Sequence, residues 1–181
     1  MLFKTSKEIA ITGLFIALLI ALQYLLSAVK GIELVTVFLL CFAYSFGPLK
    51  GFICAVGFSV LRCFVFGFFP TVLVLYLSYY PLFALAIGFL GKFFKRNQKQ
   101  KSVGAFVVMI ITAVIFTLLF TVIDNLITVK LSGFSHDASV TYFLASVPVM
   151  ITQAVCTLLS VSVLFFPLTR IFLKVNENLN R

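Results

Sequence analysis

The chain of 181 residues contains no tryptophan, one histidine and five acidic residues, and charged residues of both signs make up only 10% of it. Soluble domains carry about 25% charged residues, so this chain cannot build an ordinary water-facing surface. A single His136 leaves no histidine pair for a metal, and no Ser or Cys nucleophile has a partner His at a plausible depth. There is no GxxxxGK[ST] phosphate loop and no HExxH. The chain is therefore expected not to be an enzyme, and to hold no cofactor and no metal. The scarcity of acid leaves a net charge of +9. Its basic residues gather at the ends of apolar segments and do not interleave with aromatics, which argues against nucleic acid. Cys41, Cys54, Cys63 and Cys156 all lie inside apolar segments without a CxxC spacing, so they read as small core residues.

What the chain has is apolar surface: 62% of its residues are hydrophobic and 23 are Phe. Breakers and charges divide it into six candidate membrane spans, at approximately 9–29, 33–47, 51–67, 70–91, 104–129 and 140–172. The first follows Lys4 and Lys7. At about 20 residues it is longer than a signal-peptide core and is expected to stay as a span. The second is short, so it either borrows flanking residues such as Ile32 or sits where the bilayer thins. With the N-terminus inside, Lys4, Lys7, Lys50, Lys92, Lys95, Arg96, Lys99, Lys101, Arg170, Lys174 and Arg181 fall on the cytoplasmic side. Only Lys30 and Lys130 fall outside, and Arg62 lies within a span. Eleven against two is a positive-inside signal. The expected fold is an all-α integral membrane protein of the cell (plasma) membrane, a single domain over 1–181 built as a compact bundle of six transmembrane helices with both termini cytoplasmic. No internal repeat is evident.

Ionisable groups at membrane depth are costly and usually face a bundle interior or a cavity. Arg62 in the third span and Asp124 with Asn125 in the fifth all fall in the outer half. They either pair with each other or line an outward-facing pocket for a polar ligand. Tyr76, Tyr79 and Tyr80, three and four apart, share one face of the fourth span. They form either an interfacial aromatic belt or, about 14 Å below Pro70 at the helical rise, a platform for a flat heterocycle. Gln153 in the sixth span makes either an interhelical bond or a ligand contact. Glu33 suits a helix cap at the outer mouth. His136 and Asp137 lie in an outer loop spanning 131–139, whose role as a lid over the pocket stays open.

In lipid, helices associate through close packing that small residues permit. The first span carries Ala10, Gly13, Ala17, Ala21 and Ala28 on one face, which packs either within this bundle or against another protein. The segments "GLFIALLIALQ", "IELVTVFLLCFAYSFGPLKGF" with its turn "GPLKG", and "PVMITQAVCTLLSVSVLFFPLTRIFLK" carry a resemblance over essentially the whole chain. In these it resembles the substrate-binding S-component of bacterial energy-coupling factor (ECF) vitamin transporters, a class of ABC importer. The resemblance implies a subunit that captures a vitamin or related micronutrient outside and delivers it inward. Its partners would be a coupling membrane subunit and that subunit's two cytoplasmic ATPases. Gly13, Ala17 and Ala21 would then be the coupling contacts, and the vitamin would bind near the outer surface, where Arg62, Tyr76, Tyr79, Tyr80, Asp124, Asn125 and Gln153 fall. Thiamine-binding members rest its rings on tryptophan, so the absence of Trp counts against that ligand. The residues alone also admit a small multispan cell-envelope scaffold, with Arg62 and Asp124 as a structural pair, or a stand-alone carrier driven by an ion gradient through Asp124.

Overall fold

The computed structural model describes residues 6–27, 34–97 and 102–179. Lys4, Ala28, Lys30, Ile32, Glu33, Lys99, Lys101 and Arg181 lie outside the described residues. Six helices follow in order: α1 (Ser6–Leu26), α2 (Val35–Phe46), α3 (Pro48–Phe66), α4 (Pro70–Arg96), α5 (Val103–Ser132) and α6 (His136–Leu179). No strand occurs among the described residues. Every helix except α2 is long and apolar enough to cross a membrane, so the chain is a multi-pass α-helical membrane protein.

The 12 residues of α2 rise about 18 Å, well short of the ~30 Å hydrocarbon core. All but Phe38 and Phe46 of them are buried, which is the pattern of a helix apolar all round and enclosed by protein. It packs against α1, α3, α4 and α6. Those neighbours enclose its described residues on nearly every side.

One residue, Gly47, joins α2 to α3. Its φ of +93° is a conformation that side chains disfavour. Its N–H donates to the Ala43 carbonyl at 2.9 Å, its own carbonyl accepts from Gly51 at 3.0 Å, and Pro48 opens α3 where a missing N–H costs nothing. The backbone of α4 lies directly on this turn. A Cβ on Gly88 would fall onto the Pro48 backbone, and one on Gly91 would come within 2.5 Å of the Tyr44 carbonyl oxygen. Buried Glu8 of α1 accepts from Lys50 at 2.8 Å, and Asn176 of α6 donates to the Ser45 carbonyl at 2.9 Å. The "GPLKG" turn is thus the knot of one end of the bundle.

The buried residues of α5 are Ala105, Met109, Ala113, Thr117, Thr121 and Asn125, a single row at steps of four. Those of α6 are Thr157, Val161, Phe165 and Thr169, at the same step. The two helices pack antiparallel along these rows. Their junction differs from the expected outer loop over 131–139. Helix α5 continues through Ser132, α6 begins at His136, and only Gly133, Phe134 and Ser135 connect them. Local capping explains this. Gly133 is left-handed at φ +64°, Phe134 donates back to Val129 at 3.3 Å, and the Ser135 carbonyl and hydroxyl accept from Ser139 and Ala138. Helix α6 is also longer than the expected span, 44 residues with Pro148 and Pro167 inside it.

Candidate functional site

At the end of the bundle away from the "GPLKG" turn, the α5/α6 seam becomes polar. Thr117 and Thr157 share a hydrogen bond of 3.0 Å, Thr121 donates to Gln153 Oε1 at 2.8 Å, and Asn125 donates to Ser146 Oγ at 2.6 Å. These rungs lead to a cavity of about 250 Å³ lined by Phe120, Thr121, Asp124, Asn125, Tyr142, Ala145, Ser146, Val149 and Gln153. The structure therefore brings Asp124, Asn125 and Gln153 together. Gln153 makes an interhelical bond and lines the cavity at the same time. Thr121, Tyr142 and Ser146 join them in the cavity wall and were not expected from the sequence. The step-of-four run Thr117, Thr121, Asn125 on an apolar helix was the signal that could have found the α5 side.

The second cluster lies between α3 and α4. The Arg62 guanidinium sits over the Tyr76 ring at 4.1 Å and near the Phe66 ring at 5.1 Å, positions that favour a cation on an aromatic face. Its Nε and Nη1 are buried without a hydrogen-bond acceptor. Gln23 of α1 donates to the Tyr76 hydroxyl at 2.8 Å. Arg62 and Asp124 form no ion pair. The ion pairs among the described residues are Lys50 with Glu8, and His136 with Asp137 on the exposed start of α6.

Tyr76, Tyr79 and Tyr80 are all buried, Tyr80 completely, so they do not form an exposed interfacial belt. They pack against Phe58, Phe83, Phe116 and Phe120, and none of them lines the α5/α6 cavity. Phe120 is the link between the two clusters: it touches all three tyrosine rings, at 6.0, 4.7 and 6.1 Å, and forms part of the cavity wall.

On α1 the buried residues Glu8, Thr12, Phe15, Ile16 and Leu19 form one face. Ala10, Gly13, Ala17 and Ala21 lie on the opposite face and are exposed, flanked by exposed Leu14 and Leu18. A Cβ placed on Gly13 would meet nothing within 4 Å. The small strip is therefore not packed against the described helices of its own bundle. Cys41, Cys54 and Cys63 are free thiols buried in the core, and Cys156 is half-buried.

A search of curated proteins and a search of solved structures found no match. The family described as "ECF transporter, substrate-specific component" matches residues 7–173, nearly the whole chain. That family is a transporter subunit rather than an enzyme, and its members associate with a coupling module. That match runs from α1 into the last turns of α6, and by it the chain belongs to the substrate-specific components, the S-components, of ECF transporters.

Proposed function

We propose that the chain captures a vitamin or related micronutrient outside the cell and passes it inward through an ATP-driven coupling module, made of a membrane subunit and two cytoplasmic ATPases. In this reading both termini are cytoplasmic. The ligand enters at the end of the bundle where Gly133 to Ser135 connect α5 and α6. Asp124, Asn125 and Gln153 hold its polar groups, with Thr121, Tyr142 and Ser146 beside them. Tyr76, Tyr79, Tyr80 and Phe120 offer ring faces, and Arg62 offers a cationic fork.

The observation that carries this reading is that two Arg62 nitrogens, Nε and Nη1, are buried without an acceptor. A buried charged donor left unsatisfied costs at least ~1–3 kcal/mol, and a ligand oxygen removes that cost on binding. A ligand with a flat ring and an acceptor or anionic group suits the set. The α5/α6 cavity, at about 250 Å³, lies just below the ~300–1,000 Å³ range of drug-sized sites, so it suits one fragment of such a ligand, the rest reaching toward the tyrosines. Gly13, Ala17 and Ala21 give the coupling subunit a smooth face on which two helix backbones approach closely.

The test is mass spectrometry of small molecules that co-purify with the protein in detergent, paired with pull-down of the coupling module. A retained vitamin together with capture of the module is the expected result. Protein that retains no vitamin, takes none up when challenged and captures no module would overturn the reading.

A further inference from the structure

Of the carboxylates among the described residues, Glu8 is paired with Lys50, Asp137 stands beside His136, and Glu177 is exposed to solvent. Asp124 has none of these supports. It is half-buried in the apolar helix α5, and no cation among the described residues pairs with it. A carboxylate at membrane depth is costly, and what offsets the cost is a cation or a polar cavity. Asp124 has the cavity, the one between α5 and α6.

The hydrogen bonds in the wall of that cavity show which atoms remain open. Gln153 Oε1 accepts from Thr121 at 2.8 Å, which leaves the Gln153 amide N–H groups as donors. Asn125 spends an amide N–H on Ser146 Oγ at 2.6 Å, and Ser146 donates onward to the Phe143 carbonyl at 2.7 Å. The Oδ1 of Asn125 is therefore unspent, although the residue is only 4% exposed. Neither this oxygen nor the Asp124 carboxylate is sealed, unlike Gln23 Oε1 and Arg62 Nε, and both residues line the cavity. The open acceptors thus outnumber the open donors, and the acceptors carry the charge. Phe120 and Tyr142 complete the wall with aromatic rings, whose faces attract a cation. A carboxylate beside such rings repels an anion.

We propose that the α5/α6 cavity takes a positively charged nitrogen group of the ligand, an amidinium or a protonated amine on its ring, with Asp124 as counter-ion and Asn125 as second acceptor. An amidinium is planar and offers a carboxylate two parallel N–H groups, the fork that makes arginine pairs strong. This rests on the reading of the chain as a vitamin-capturing subunit and narrows its substrate class: the vitamin carries a basic nitrogen at the α5/α6 end and an acceptor at the Arg62 end. Asp124 is then the residue that selects for charge, while Gln153 and Ser146 hold the wall in shape.

The experiment is a ligand-observed NMR titration of the full chain, purified free of vitamin in a neutral detergent. Benzamidine, benzamide and benzoate serve as cationic, neutral and anionic probes of nearly the same outline. The wild type should bind benzamidine at least about tenfold tighter than benzamide, and benzoate should not compete. Asp124→Asn keeps an acceptor but removes the charge, and should erase that preference, the tenfold scale being that of a charge-assisted hydrogen bond. Asp137→Asn, an exposed carboxylate off the cavity, should leave it unchanged. Ala145→Leu narrows the cavity with the carboxylate in place, and should weaken all binding of benzamidine; if Asp124→Asn does not fold, this variant decides, and full binding by it would overturn the proposal. Equal binding of benzamidine and benzamide by the wild type would also overturn it, as would a loss with Asp137→Asn as large as with Asp124→Asn. Mass spectrometry of the co-purified vitamin separates the two readings. A retained vitamin without a basic nitrogen overturns the charge assignment and leaves the importer standing. An Asp124-dependent preference for benzamidine in a protein that retains no vitamin and captures no coupling module keeps the cation pocket and removes the importer.

Discussion

A guanidinium inside a bundle of apolar helices can be stabilised by a carboxylate, by aromatic faces or by a ligand. Arg62 has the aromatic faces of Tyr76 and Phe66 and lacks the carboxylate. Arg62→Met therefore removes unsatisfied donors from the interior and should leave the melting temperature of the ligand-free protein unchanged or higher, while vitamin affinity measured by calorimetry falls at least ~10-fold. Arg62→Lys keeps the charge but loses the planar fork, so its affinity should fall between the two. A fall in stability with affinity intact would assign Arg62 to the scaffold instead. On the α5/α6 seam, Thr157→Val leaves Thr117 its own back-bond to Ala113, and should cost only about 0.6 kcal/mol, the usual worth of an interhelical hydrogen bond in a membrane. Asn125→Leu removes the partner of Ser146 from the cavity wall and should reduce ligand affinity as well as stability. Side-chain identity told which residues were costly to bury, and so Arg62, Asp124 and Gln153 could be named from the sequence. It could not tell that Phe120 would stand between the tyrosines and the cavity, because an aromatic on a Phe-rich helix carries no mark of its neighbour.

At the scale of helices, α1 presents two faces with different tasks. Its inner face holds the bundle, and its outer strip of Ala10, Gly13, Ala17 and Ala21 meets no described helix. Ala17→Trp with Ala21→Trp should abolish vitamin uptake and capture of the coupling subunit, while vitamin binding by the purified protein persists. Loss of binding would mean that the strip acts on the pocket itself. The contact of α4 with the α2–α3 turn makes the opposite prediction. Gly88→Ala drives a Cβ into the Pro48 backbone, which has no rotamer with which to yield, so it should destabilise the detergent-solubilised protein by about 1–3 kcal/mol, read as a lower melting temperature. The six apolar segments were plain from hydropathy and breakers, since lipid demands long unbroken runs. Their ends were not. Ser135 and Gly133 turn the polar stretch after the fifth segment into helix caps, a use that looks identical to a loop in composition. Nor does hydropathy distinguish a short helix facing lipid from one wrapped by its neighbours, so the enclosure of α2 was not legible in its composition.

At the scale of the whole molecule, charge is distributed along the bundle axis. Lys50, Lys92, Lys95 and Arg96 gather near the "GPLKG" turn, and the end carrying Gly133 has few cations. By the positive-inside rule this distribution supports the proposed orientation, with the "GPLKG" end cytoplasmic. A membrane-impermeant maleimide should label Phe134→Cys in intact cells and Arg96→Cys only after permeabilisation. The reverse pattern would invert the proposed topology. The buried native thiols should stay silent in both cases. The burial of α2 bears finally on how such a chain is made. A 12-residue segment is too brief to partition into lipid by itself, and a single glycine ties it to α3, so the two must enter the bilayer as one hairpin. Much of the shelter that α2 finds comes from α4 and α6, which leave the ribosome after it. During synthesis the core of the finished protein is thus a guest awaiting its walls, and a chain halted before α6 should be the form that quality-control proteases recognise.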